Sequence, residues 1–379
     1  MPRLALALFA LILLAGLWGL YRTPPAPVTG GDLHLADQTR TERGAQANLV
    51  AIQPWLRTRD YRSAATLEDR LDAYFEVAAG DGLLTPGSII VLPEHVGTWL
   101  VAADAPAASF DADTTTGAMT HLILANPLPF AWALARAGET DRLAAAVFRM
   151  RADRMARDYQ RVVGSLAERH EVTIVGGSIV LPAPEVREGR LRAGPGPLYN
   201  VSAVFHPDGR IDPRLVRKVH PIPDEAGFTA AASAIDIPVF ETSAGRLGVL
   251  ICADSWHPDV YETLQAGRVD IIAVPAFLQP SGVWNQPWGG YTTGWPDDVE
   301  PSDAGRLTEG EAWMTHALAG RLPSAGADHG ATAFLRGALW DLGSDGANFL
   351  VAGDEAWIDG QADGASISVL PLPSVSARP

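Results

Sequence analysis

The sequence predicts a layered α/β protein, and three observations carry that prediction. Short apolar, β-branched runs recur along the chain with helical stretches between them, the pattern of strands covered by helices. Several of these runs are apolar throughout rather than alternating, as expected of strands buried on both faces. The 379 residues are 47% hydrophobic and 19% charged, which supplies one large core and argues against disorder.

The elements follow in order. Asn48–Ile52 (NLVAI) and Ser88–Leu92 (SIIVL) read as strands flanking a helix over about 63–79. A long helix spans about 141–170, and Val172–Gly176 is the next strand. Tyr199–Phe205 runs into Pro207-Asp208-Gly209-Arg210, a turn that leads to another strand. Ile237–Phe240 and Arg246–Ile251 are strands, a helix opens at Pro258, and Asp270–Val274 is a further strand.

Ahead of this pattern, Leu4–Leu20 is a 17-residue uncharged run between Arg3 and Arg22. As a helix it reaches about 25 Å, against a hydrocarbon core of about 30 Å. A cleaved signal peptide and an uncleaved signal anchor both fit. The length of the run, the lack of a small-x-small cleavage site, and Trp18 and Tyr21 at its end favour the anchor. Arg3 and the α-amino group place the N-terminus in the cytoplasm and the remaining chain outside it, secreted if the segment is cleaved. The expected organisation is an N-terminal transmembrane anchor or signal segment over 1–22, a Pro-rich tether over 23–46, and one domain over 47–372. Insertions interrupt that domain near 100–140 and 279–305.

A net charge of −15 and a pI near 5.0 exclude nucleic acid as a partner and oppose adhesion to anionic lipid. Within this acidic chain, Cys252 is the single cysteine and Lys218 the single lysine among 29 basic residues. Arginine does not replace lysine where a compact point charge must sit beside a reacting atom.

Three places share one arrangement, an apolar run followed by a reactive residue: Ile89–Leu92 before Glu94, the strand before Lys218, and Leu250-Ile251 before Cys252. A side chain just past a buried strand is held rigidly while its tip stays open to ligand. A thiol needs a base near neutral pH, a carboxylate can be that base, and an ammonium can stabilise charge developing on a carbonyl oxygen. Glu, Lys and Cys therefore make a self-sufficient acyl-transfer set, with no cofactor and no metal expected. His95, His220 and His257 flank these motifs without metal-site spacing and read as structural or pocket-lining.

On these residues the chain resembles the nitrilase, or carbon–nitrogen hydrolase, superfamily. LPEH carries Glu94, RKVHP carries Lys218 and RLGVLICADSWHPD carries Cys252, in the family's order. GPLYNVSAVFHPDGRI looks like its strand pair and DIIAVPA like its strand after the cysteine. The resemblance covers roughly 48–276 and weakens beyond. It implies a four-layer αββα sandwich, commonly assembled as a homo-oligomer. It also implies Glu94 as general base, Lys218 and the Ala253 N–H as oxyanion donors, and Cys252 as nucleophile. A second glutamate near the lysine is implied as well. Glu225 is the candidate, and Glu241, in a turn before the Cys252 strand, is the alternative. Asp254 reads as a brace for the cysteine loop.

Two departures bear on specificity. Ala253 stands where nitrile-converting members often carry a bulky aromatic, which argues against nitrile chemistry. The interval from Glu94 to Val172 holds the apolar, twice proline-broken segment Met119–Leu134, an insertion that packs on the core or a partner subunit, or else a substrate lid or membrane-resting arm. The Gln279–Asp303 insertion, with Trp284, Trp288 and Trp295, is a candidate pocket wall. The leading expectation is a membrane-anchored amidase acting on a small-molecule or lipid amide. An N-acyltransferase of the lipoprotein-maturing type and an inactive scaffold on the same fold are the alternatives.

Overall fold

The computed structural model describes residues 46–292, 294–358 and 364–373. The expected N-terminal anchor and nearly all of the tether lie outside the described residues. Among those described, no helix is long and apolar enough to cross a membrane.

Among the described residues, thirteen strands build two stacked sheets. The first holds β1 (Ala47–Gln53), β2 (Ile89–Val91), β3 (Thr173–Val175), β4 (Ile179–Pro182), β5 (Leu198–Phe205), β6 (Ile211–Arg217) and, from the far end of the chain, β13 (Ser366–Leu372). Its order is β13-β1-β2-β3-β5-β4, with β6 also paired to β5. The second sheet runs β7 (Phe240–Thr242), β8 (Gly245–Val249), β9 (Ile271–Ala276), β10 (His329–Phe334), β11 (Phe349–Ala352) and β12 (Glu355–Ile358), in chain order across the sheet. Each sheet has a parallel centre, β1-β2-β3 in one and β8-β9-β10 in the other, with antiparallel flanks.

Strand periodicity sorts side chains between two cores. Along β1, Val50 and Ile52 join the core under the helices, whereas Leu49 and Ala51 join the core between the sheets. Helices α1 (Ala64–Gly80) and α4 (Arg142–His170) cover the first sheet. Helices α5 (Pro258–Ala266), α6 (Glu309–His316) and α7 (Leu318–Ala325) cover the second. The result is the four-layer αββα sandwich. Side-chain caps set the helix starts: Ser63 accepts from the Thr66 N–H before α1, and Asp141 accepts from the Ala144 N–H before α4.

One sequence expectation changes. Ile237–Phe240 is not a strand: a single 3₁₀ turn covers Ala234–Asp236, and pairing begins only at Phe240. Pro238 lacks the N–H a ladder needs, so pairing starts beyond it. Met119–Leu134 falls in two helices, α2 (Thr115–Ala125) and α3 (Pro127–Leu134), that meet at Asn126-Pro127, and the core-packing reading of this insertion fits them. Met119, Ile123 and Phe130 pack on the helix-side core. Leu128 and Trp132 remain 81% and 67% exposed.

Gly177 controls the position of the loop after β2. Its φ is +66°, and a Cβ there would lie 2.1 Å from the Pro93 carbonyl oxygen and 2.6 Å from Val96 Cγ1. Gly177→Ala should cost roughly 2–4 kcal/mol in denaturant titration, from overpacking plus left-handed strain, and should depress activity by displacing Glu94. A variant that melts and turns over like the parent contradicts this.

Candidate active site

The site forms where three strand ends meet. Glu94 lies three residues past β2, Lys218 directly follows β6, and Cys252 lies three residues past β8. Neighbouring backbone fixes each loop. The Leu92 N–H donates to the Val175 carbonyl, the His95 N–H to Ser178 Oγ at 2.8 Å, and the Gly97 N–H to the Ser178 carbonyl. The Lys218 N–H donates to the Asn200 carbonyl at 2.9 Å. Two non-glycine residues adopt left-handed backbone at the site, His95 (φ +61°) and Cys252 (φ +51°). Such conformations persist where surrounding contacts over-determine them, and they concentrate at functional sites.

Lys218 is the centre. Its Nζ donates to Glu94 Oε1 at 2.7 Å and to Glu225 Oε2 at 2.5 Å, and all three side chains are buried. An ammonium has three N–H bonds, so these two described partners leave one for a substrate oxygen. Burial pulls the Lys218 ammonium down, but the carboxylates of Glu225 and Glu94 override it and hold its pKa well above the ordinary lysine value. Burial likewise opposes ionisation of Glu225, yet Lys218 and His95 hold that carboxyl well below the usual range. Both charges therefore stay in place at neutral pH. The structure thus brings Glu225 into the set. Glu241 lies elsewhere, exposed on the β7–β8 hairpin and paired with Arg246 at 2.7 Å.

Asn200 completes the network. This residue of β5 is fully buried, and its Nδ2 donates to Glu94 Oε1 and Glu225 Oε1, both at 2.9 Å. Sequence reading passed over it inside LYNVSAVF. A lone carboxamide in an otherwise apolar buried strand was the available signal, because such a group needs partners. His95 adds a third link: its Nε2 lies 3.2 Å from Glu225 Oε1, while Nδ1 and Thr98 Oγ1 share a 3.0 Å hydrogen bond. Ligand atoms of Glu94, His95 and Glu225 lie within 4.8 Å of one another, but the Lys218 ammonium already bridges the two carboxylates.

Burial pushes the Cys252 thiol well above its ordinary range; the negative charge of Glu94 adds to this, and Lys218 opposes it. The resting sulfur is therefore a protonated thiol, donating to the Phe277 carbonyl at 3.7 Å, and its attack requires proton removal. Asp254 braces the loop. Its Oδ1 accepts from the Val219 and His220 N–H groups at 2.9 and 2.7 Å, and its Oδ2 accepts from the Ile251 N–H at 3.2 Å. One carboxyl thus locks the cysteine turn to the lysine loop. Burial pushes its pKa up to about 7 against the pull of Lys218 and those donors.

Two cavities adjoin the set. The larger, about 850 Å³, includes Glu94, His95 and Glu225 in its wall, with apolar side chains of α2 and α4 opposite. The smaller, about 310 Å³, includes Cys252 and Ala253. Ile222, Asp224, Phe277 and Gln279 wall both. The aromatic insertion lines the smaller one: Trp288 stacks on Trp256 at 5.6 Å, and Tyr291 donates its hydroxyl to the Trp256 carbonyl at 2.9 Å. His257, also in that wall, stacks on His220 at 3.7 Å, and His220 contacts Asp259 at 3.0 Å.

Residues 156–295 match the family model described as carbon–nitrogen hydrolase. Over 118 residues the chain is 27% identical to a probable hydrolase YhcX of Bacillus subtilis, over 114 residues 29% identical to a probable nitrilase C965.09 of Schizosaccharomyces pombe, and over 126 residues 29% identical to a deaminated glutathione amidase of Synechocystis. These matches take in 30–31% of this chain, and only 20%, 38% and 43% of the respective relatives. In three dimensions it aligns with an amidase of the nitrilase superfamily from Nesterenkonia AN1 at TM-score 0.52 and 14% identity, over 87% of this chain and 92% of that one. At that identity the likeness is one of fold.

Two expectations follow. Asn200→Leu removes the donor shared by two carboxylates. It should lower stability by about 1–3 kcal/mol and reduce kcat at least tenfold with little change in KM; unchanged kcat contradicts the positioning role. Burial, then the neighbouring His220, lower the His257 pKa to about 4. Between pH 6.5 and 4 the unfolded chain takes up a proton that the folded chain refuses, so stability falls as pH falls through that window. His257→Gln should flatten the fall in a pH series of denaturation midpoints, and an unaltered slope contradicts it.

Proposed function

We propose that the chain is a carbon–nitrogen hydrolase of the nitrilase superfamily and that it hydrolyses a non-peptide, amide-type C–N bond through a thioester on Cys252, a reading supported by the family-model match over residues 156–295. The observation that carries this reading is the buried Lys218 ammonium, held by Glu94 and Glu225 beside a thiol that feels the charge of all three.

In the proposed reaction, Glu94 removes the Cys252 S–H proton as sulfur bonds to the substrate carbonyl carbon. The carbonyl electron pair moves to oxygen, which the free N–H of Lys218 and the backbone N–H of Ala253 receive. Collapse breaks the C–N bond, and Glu94 gives its proton to the departing nitrogen. Water then attacks the thioester, Glu94 takes a proton from it, and the C–S bond breaks to release the acid and restore the thiol. Glu225 and Asn200 hold Lys218 and Glu94 in register throughout.

The complete charge network favours a working enzyme over an inactive scaffold, and an acceptor amine in place of water turns the same thioester into an acyl transfer. The uncharged run Leu4–Leu20 supports the further proposal of single-span attachment with the domain outside the cytoplasm, acting there on small or lipid-derived amides as a homo-oligomer.

Cys252→Ala should reduce amide turnover at least a thousandfold while leaving the thermal midpoint within a few degrees of the parent, and Glu94→Gln should reduce turnover comparably while also lowering the midpoint, because it takes a carboxylate from the buried Lys218 ammonium. Ammonia or amine release by Cys252→Ala at near the parent rate contradicts the mechanism.

A further inference from the structure

The two cavities differ in the catalytic atoms they present, and that difference assigns the two halves of the substrate. The smaller cavity is walled by Cys252, which keeps the acyl group, and by Ala253, whose N–H holds the acyl oxygen. The larger is walled by Glu94, which must deliver a proton to the departing nitrogen, and not by Cys252. Beyond Glu94 most of its wall area is apolar, with Trp99, Met119, Ile123, Val147, Phe148 and Phe228, while Asp141, Asp224 and Asp341 also line it. Phe148 and Phe228, both in this wall, stack on each other at 5.5 Å. The smaller cavity, walled by the buried indoles Trp256, Trp288 and Trp313, has less than half the volume of the larger, about 310 against 850 Å³.

Resting on the hydrolase reading above, we propose that the substrates are N-substituted amides, with a long apolar chain on the amine half in the larger cavity and a short acyl half in the smaller. The balance is that of the proposed mechanism. The C–N bond breaks with its electron pair on nitrogen, the proton that Glu94 took from Cys252 joins that pair, and the product leaving through the larger cavity is an alkyl amine. The short acyl group stays on sulfur until water removes it. Insertion helix α2 then has a role beyond packing, since Met119 and Ile123 form part of the surface that selects the amine chain.

Two compound series on the purified chain test this. One keeps a propionyl group and lengthens the N-substituent from hydrogen through butyl, hexyl and octyl. The other keeps a primary amide and lengthens the acyl chain through the same steps. Each methylene that enters an apolar wall should raise kcat/KM about three- to fourfold, so the N-alkyl series should climb steeply from butyl to octyl. The acyl series should stay flat or fall beyond a short chain. Met119→Asp, at a half-buried wall position, should bring the octyl-to-butyl ratio close to one while thermal melting shows the variant folded. A climbing acyl series with a flat N-alkyl series overturns the assignment, as does a Met119→Asp variant that keeps the parent ratio. If propionamide acylates Cys252 but N-alkyl chains gain nothing, the assignment alone fails. If no amide of either series acylates Cys252, the hydrolase reading fails with it.

Discussion

The burial of one ammonium between two carboxylates is the constraint on which the rest of this structure depends. Lys218 is 1% exposed and donates hydrogen bonds of 2.7 and 2.5 Å to two glutamates from different segments. Removing charges from water is costly, and the mutual attraction of such groups offsets that cost only with good geometry and every other polar atom satisfied. Asn200 and His95 supply the additional donors on the carboxylate side. A substitution that removes one member strands the others in a buried setting, so the network constrains fold and chemistry together.

The layered architecture makes that geometry possible. Glu94 and Lys218 end strands of the first sheet and Cys252 ends a strand of the second, so the set spans the seam where the sheets stack. Asp254 closes the seam by accepting N–H groups from both the lysine loop and its own turn. The left-handed backbone at Cys252 and the Gly177 approach to Pro93 are local costs absorbed by this packing. A larger apolar cavity beside Glu94 and a smaller aromatic one beside Cys252 adjoin this set and share Ile222, Asp224, Phe277 and Gln279 as walls.

Much of this was legible in the sequence for identifiable reasons. Strands buried on both faces write themselves as apolar runs, and a reactive residue immediately after such a run stands out, so Glu94, Lys218 and Cys252 could be named from text. Glu225 could only be a candidate, because a glutamate in a turn reads the same whether it faces water or an ammonium. Asn200 was hidden because its partners lie 106 and 25 residues away, beyond any local pattern. Pro238 misled in the other direction, sitting in a β-branched run whose missing N–H delays pairing to Phe240. The α2–α3 hairpin was visible as apolar, but composition alone did not tell which of its residues line a cavity and which, like Leu128 and Trp132, face outward.

The central claim is that Cys252 holds the acyl half of an amide while Glu94 sends the amine away. Intact-protein mass spectrometry of an acid-quenched reaction, followed by peptide mapping, reads this directly. The account predicts one added acyl group, with the mass of the substrate less its amine, on the peptide containing Cys252, and none on a Cys252→Ala chain. A substrate turned over with no adduct at any quench time under conditions that preserve thioesters, or an adduct that retains the amine nitrogen, would contradict it.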